Sequence, residues 1–214
     1  MNGNLNPEII DNTLRTLEKR CLILLCEGYK MLLSQKKISI DWKEEDISKE
    51  LILCLEPNEN RRRWRISIAP EHRFYTDKIP AKESPRIDFC FSGWTDVEWK
   101  YYSEAKILIE SDSYKKGRRK KISAHFLHKR YIETGIDHYL SGWYPSDCLS
   151  GYILQGKTEN IINCINQFLR DCDREKEVLT KQPFELPYFD SLYLSRHKNG
   201  FSIKHLIFDF VLPD

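Results

Sequence analysis

Ile10, Leu14, Leu17, Cys21, Leu24, Leu25 and Leu32 recur at helical spacing and predict a long first helix over residues 8–34. A stripe of this kind is accounted for by packing against a core. Ile47, Leu51, Cys54 and Leu55 repeat the pattern and predict a second helix that runs through Leu55. Asp41, followed three residues later by Glu44, has the form of a capping box that opens this helix. Glu44 and Glu45 then stand at its start, where carboxylates complement the helix dipole. Pro57 and the polar run NENRRR end it. Trp64, Ile66 and Ile68 switch to the alternation of a strand, which Pro70 stops.

Two further strands follow, joined by the loop FSGWTDVEWK. Ile87, Phe89 and Phe91 alternate with Asp88 and Cys90, while Ala105, Ile107 and Ile109 alternate with Glu104, Lys106 and Leu108. Each strand therefore has one strongly apolar face. Beyond them, Tyr131, Ile132, Gly135, Ile136, Tyr139 and Leu140 form an amphipathic helix that Gly142 is placed to end. Tight packing of that helix on the sheet is reason enough for Gly135. A short strand, GYILQG, precedes a helix carrying Ile161, Ile162, Ile165, Phe168 and Leu169. The tail holds two more strands, SLYLSRHK and FSIKHLIFDFVL, around an Asn199-Gly200 turn with the signature of a hairpin. The fold class is α/β. A length of 214 residues fits one domain, with a helical part over 1–56 leading into a core over 60–214.

Composition narrows the classes. Hydrophobic residues make up 41% and aromatic residues 12%, enough for a substantial core, and 31% charged residues favour solubility. A formal net charge of +2 gives no global pull toward nucleic acid, so any such surface must come from local segregation. The seven cysteines are odd in number and none forms a C-x-x-C pair, which argues against a disulfide framework and against structural zinc. The amino terminus lacks the layout of a signal peptide, and Cys21 to Cys26 is too short to span a bilayer. A reduced, cytoplasmic setting is expected, with no membrane partner.

Asp88 lies on one strand, and sixteen positions on, Glu104 and Lys106 share a face of the next. Residues two apart on a strand lie about 6.6–6.8 Å apart along the backbone. Charged groups on a semi-buried face are costly unless paired or bound to metal. The bland alternative is an ordinary ion pair between Glu104 and Lys106, with Asp88 an edge residue. Two acids and a lysine so placed can hold a hard cation such as magnesium and assist water in attacking a phosphodiester.

The run Pro85-Arg86-Ile87-Asp88, then Glu104-Ala105-Lys106, resembles the signature of the PD-(D/E)xK nuclease superfamily. Here Arg86 and Ile87 stand between the proline and the aspartate, which the family usually keeps adjacent. The stretch RYIETGIDHYLSGWY and SGYILQG is similar to the region after the E-x-K strand in prokaryotic restriction-like members. The resemblance implies a restriction-endonuclease-like core, an α-β-β-β-α-β mixed sheet flanked by helices, with an N-terminal helical extension and a C-terminal hairpin. It implies Mg2+ or Mn2+ held by Asp88, Glu104 and the Ala105 carbonyl, with Glu45 as a further acid from the amino-terminal helices. Lys106 would complete the catalytic set. The implied substrate is DNA and the implied setting bacterial defence against phage. Targeting would come from a partner protein, such as an ATPase, or from a homodimer.

Lys115, Lys116, Arg118, Arg119, Lys120 and Lys121 follow the Glu104 strand closely and are candidates for phosphate contact; a solvated loop is the competing reading. His197 and His205 are read as structural groups before any general-base role. Two rival functions remain: a catalytically inactive member of the fold that binds nucleic acid or a partner, and a stand-alone interaction domain. The intact acid and lysine set disfavours the first.

Overall fold

Strands buried on both faces need helices on both faces, and the chain folds that way. The computed structural model describes residues 7–35, 38–74, 84, 86–95, 98–115, 121–144, 148–184, 186 and 188–211. Two helices come first, α1 (Pro7–Ser34) and α2 (Glu44–Leu55), then a short third, α3 (Glu59–Arg63). Strands β1 (Ser67–Arg73), β2 (Arg86–Trp94) and β3 (Glu98–Ile109) form an antiparallel meander. A two-stranded ribbon, β4 (Ser113–Tyr114) with β5 (Lys121–Ile122), leads into α4 (Ala124–Arg130). A π-helical turn (Tyr131–Ile136) joins α4 to α5 (Asp137–Leu140). Next come β6 (Cys148–Gln155), α6 (Thr158–Asp171), β7 (Thr180–Gln182), β8 (Leu192–Arg196) and β9 (Ser202–Asp209). The main sheet has seven strands in the order β1-β2-β3-β6-β9-β8-β7. Its centre is parallel, β3 with β6 and β6 with β9, and its flanks are antiparallel.

One core lies under α1 and α2, where Leu24, Leu25, Leu51 and Leu55 meet Phe89, Phe91 and Phe208. Tyr29 donates to the Asp209 carbonyl at 2.7 Å, and the Ser48 and Tyr152 hydroxyls lie 3.0 Å apart. The second core, on the opposite face, gathers Tyr131, Ile136, Ile161, Ile165 and Leu169 over Leu108, Leu149 and Ile153. At Gly135 a Cβ would stand 2.9 Å from Leu149 Cδ2, so close helix–sheet packing does explain that glycine.

Several local expectations are corrected. Helix α2 opens at Glu44 rather than after Asp41; Lys43 is its N-cap, and its amide donates to Asp46 Oδ2 at 3.3 Å. Part of the polar NENRRR run is itself helical, capped by Asn58, which accepts from the Arg61 amide at 2.8 Å. Trp64 therefore closes α3 instead of opening a strand, and β1 begins three residues later. Pro70 does not stop β1. It sits within an edge strand bonded only to β2, where a missing N–H is tolerated. The loop FSGWTDVEWK is mostly strand, since β2 reaches Trp94 and β3 begins at Glu98. The amphipathic helix starts earlier than expected, at Ala124, with Ser123 accepting from the Phe126 amide. It ends as expected: Gly142 has φ +76°, its amide bonds the Tyr139 carbonyl, and that of Trp143 bonds the His138 carbonyl. The β8–β9 hairpin closes over residues 197–201, a longer turn than the two-residue type, with Gly200 at φ +77°. Among the described residues, no helix is long and apolar enough to cross a membrane.

Candidate metal centre

The β2–β3 ladder ends at the pair Phe89–Ser103. Below it, β2 continues through Ile87 and Arg86 bonded to β1 alone, so the edge of β3 from Glu104 onward loses its partner on that side. Backbone amides left without a ladder must find other acceptors. Asp88 Oδ2 takes the Ala105 amide at 2.8 Å, and Glu44 Oε2 takes the Ile107 amide at 3.0 Å. Two carboxylates from different elements are thus drawn into the gap where the strands part.

Glu104 and Lys106 project beside them and ion-pair, Lys106 Nζ to Glu104 Oε1, while the same ammonium stands 3.7 Å from Glu44 Oε1. The bland ion pair exists, but it is no solvated surface pair. Glu104 is 6%, Lys106 4% and Asp88 9% exposed. The amide of Glu104 is also held, donating to the Tyr139 hydroxyl at 3.0 Å, and that hydroxyl in turn donates to the Cys148 carbonyl. Tyr144 packs edge-on to Tyr139 and donates to the Arg86 carbonyl at 3.2 Å. Tyr139 of α5 thereby holds the middle of β3, and Tyr144 just beyond it holds the start of β2.

Burial sets the electrostatics. Asp88 is pushed well up from the ordinary carboxylate range, first by desolvation and then by the charges of Glu104 and Glu44. Glu104 is also raised by burial, with Lys106 pulling the other way. Burial alone would lower Lys106, but the three surrounding carboxylates outweigh it and raise it. Three acids face one buried lysine. Among the described residues, Glu104 Oε2 is buried and has no hydrogen-bond partner, a costly state for a carboxylate oxygen. One oxygen each from Glu44, Asp88 and Glu104 lie within 4.8 Å of one another. This hard, oxygen-only donor set, with one oxygen unsatisfied, fits a magnesium-type cation better than zinc.

Of the residues singled out from sequence, Asp88, Glu104, Ala105 and Lys106 come together here. Glu45 does not. It is exposed and pairs with Arg86 at 3.5 Å, whereas Glu44 joins the cluster. A helical turn of 100° separates neighbours, and Glu44 is the one in register with Ile47 and Leu51, three and seven positions on. That register was readable. Tyr139 and Arg130, whose guanidinium lies 3.8 Å from Glu44, were not singled out as part of the site.

In the basic run, Lys116, Arg118, Arg119 and Lys120 lie outside the described residues, as does Pro85. Lys115 donates to the carbonyls of Asp41 and Trp42 at 3.0 and 3.4 Å, and Lys121 pairs with Asp112. Among the described residues, His197 and His205 make no hydrogen bond to Glu44, Asp88 or Glu104. They join one buried chain: Tyr131 hydroxyl to His205, His205 to Ser195, Ser195 to His197, and His197 to Glu177, each step 2.7–2.8 Å. Desolvation lowers His205 to about 3, so it is a neutral structural group.

All seven cysteines are free thiols, five of them buried and Cys164 and Cys172 exposed. Comparison of the chain with protein-family models, with curated proteins and with solved structures gives no match.

Proposed function

We propose that this chain is a divalent-metal-dependent nuclease with a restriction-endonuclease-like core, hydrolysing phosphodiester bonds of DNA. The observation that carries the reading is the convergence of Asp88, Glu104, Lys106 and Glu44 where β2 and β3 part, with Glu104 Oε2 buried and unsatisfied. A pair of carboxylates that merely sealed the β3 edge would account for Asp88 and Glu44, each holding one amide. It would give no reason to bury Glu104 and Lys106 beside them.

In this reading Asp88, Glu104 and Glu44 would hold the cation, with the Ala105 carbonyl as a further ligand. When bound, a divalent cation polarises the phosphate and makes a coordinated water more acidic. Lys106 keeps its charge in a largely buried site, where a fixed cation stabilises the extra negative charge of five-coordinate phosphorus. It also orients the attacking water by donating to its oxygen. Tyr139 fixes the Glu104 backbone, and so the direction from which that carboxylate enters.

The test is degradation of DNA, supplied both as a single strand and as plasmid, with Mg2+ or Mn2+ by wild type and by Asp88→Ala, Glu104→Ala and Lys106→Ala. Each variant should lose about 10²–10³-fold or more in rate. Calcium, larger and less exacting in geometry, should support binding with little cutting. Cleavage that persists in excess chelator, or full activity in Lys106→Ala, would overturn the assignment.

A further inference from the structure

Beside the acid cluster lies a cleft of about 260 Å³, and Glu44 belongs to both. Its apolar lining comes from Ile107 of β3, Ile122 of β5 and Leu127 of α4, all partly exposed, over the buried Ile109. Trp42 stands at its wall, with part of its ring surface anchored against the first core. Lys43, Lys115 and Arg130 supply positive charge at the rim, beside the carboxylates of Glu44 and Glu45. Ordinary small-molecule pockets run to about 300–1,000 Å³, so this cleft suits a single ring system rather than an extended ligand. Apolar floor, aromatic wall and cationic rim are the chemistry of a nucleobase with its phosphate.

We infer that this cleft seats one unpaired nucleotide next to the scissile phosphate, so that the substrate strand enters single-stranded or with a splayed end. The inference rests on the nuclease reading above and specifies its substrate class. The base stacks on Trp42 and packs against Ile107 and Leu127, which are partly exposed. Lys115 donates to the carbonyls of Asp41 and Trp42, which fixes the loop carrying the indole before any ligand arrives. Arg130 is 40% exposed, and its pairing with Glu44, at 3.8 Å, is loose. That leaves the guanidinium able to turn to a phosphate once Glu44 is engaged elsewhere. A base inside a duplex presents only its edges and cannot reach such a floor unless it is flipped out, which costs unstacking energy. Discrimination between single and double strands is the consequence.

The experiment measures binding of a fluorescently labelled oligonucleotide, single-stranded and as a duplex of the same sequence, in Ca2+, with Mg2+-dependent cleavage of both in parallel. Wild type, Trp42→Phe, Trp42→Ala, Arg130→Lys and Arg130→Ala are compared. Wild type should bind the single strand about tenfold or more tightly than the duplex. Trp42→Ala should weaken single-strand binding about tenfold, the effect expected for one lost base–aromatic stack, while Trp42→Phe keeps most of it. Arg130→Ala, at an exposed position, should lower the salt slope by about one, as for the loss of one phosphate contact. Equal binding of duplex and single strand, or wild-type affinity in Trp42→Ala and an unchanged slope in Arg130→Ala, overturns the seat while leaving the nuclease reading intact. A wild type that neither binds nor cuts either substrate sinks both.

Discussion

Asp88 accepts the backbone amide of Ala105 at 2.8 Å, across the gap that opens when β2 leaves β3. One oxygen of the carboxylate is therefore a structural group, standing in for a missing strand. The other is uncommitted among the described residues, so the same side chain can hold the fold and a cation at once.

That double role separates two substitutions at one position. Asp88→Asn retains an acceptor for the Ala105 amide and removes a buried charge; Asp88→Ala strands the amide, at a cost of about 1–3 kcal/mol. Without metal, Asp88→Asn should melt at or above wild type, and Asp88→Ala below Asp88→Asn. Thermal melts by circular dichroism in chelator check the order, and equal midpoints for the two variants would refute the structural role.

Glu44 and Glu45 are adjacent but face different surroundings. Glu44→Gln should weaken Mn2+ binding about tenfold or more, whereas Glu45→Gln, which loses only an exposed pair with Arg86, should change stability by less than about 1 kcal/mol. Isothermal titration with Mn2+ gives the first number and urea melts the second. A larger effect on metal binding from Glu45 would reverse the assignment.

The buried histidine chain predicts an acid-sensitive fold. His205 is lowered to about 3, whereas in the unfolded chain it titrates near 6.5. Protons then bind the unfolded state preferentially, so stability is complete above about 6.5 and is lost as pH falls toward 3. The slope attributable to one such group is about 1.4 kcal/mol per pH unit. Urea melts through this window should show a flatter slope for His205→Gln than for wild type, although the variant is less stable at neutral pH. Parallel slopes would place the acid sensitivity elsewhere.

Gly135 touches Leu149 so closely that a methyl group must displace it. Gly135→Ala should cost about 1–3 kcal/mol through overpacking. Because Leu149 is the β6 neighbour of Glu104 in the sheet, metal affinity should fall together with stability. Chemical denaturation combined with Mn2+ titration tests both.

The sequence by itself determined the elements whose periodicity is set by burial: the α1 stripe from Leu17 onward, though Leu14 is exposed, the α2 stripe, the strands around Asp88 and Glu104, the glycine end of α5 and the C-terminal hairpin. It also paired Glu104 with Lys106 on one face, because strand alternation leaves no other choice. It did not reveal that Pro70 lies within a strand, since only the sheet order makes β1 an edge where a proline costs little. Nor did it reveal that β2 and β3 part below Phe89. Helix register with Ile47 and Leu51 already favoured Glu44 over Glu45; the parting adds the unpaired Ile107 amide that Glu44 meets. Tyr139, thirty-five residues from Glu104 in the chain, is brought to its amide only by the packing of the π-helical turn and α5 on the sheet. Periodicity fixes which face a side chain takes. Which groups meet across elements depends on how those elements pack, and that the tertiary structure alone decided.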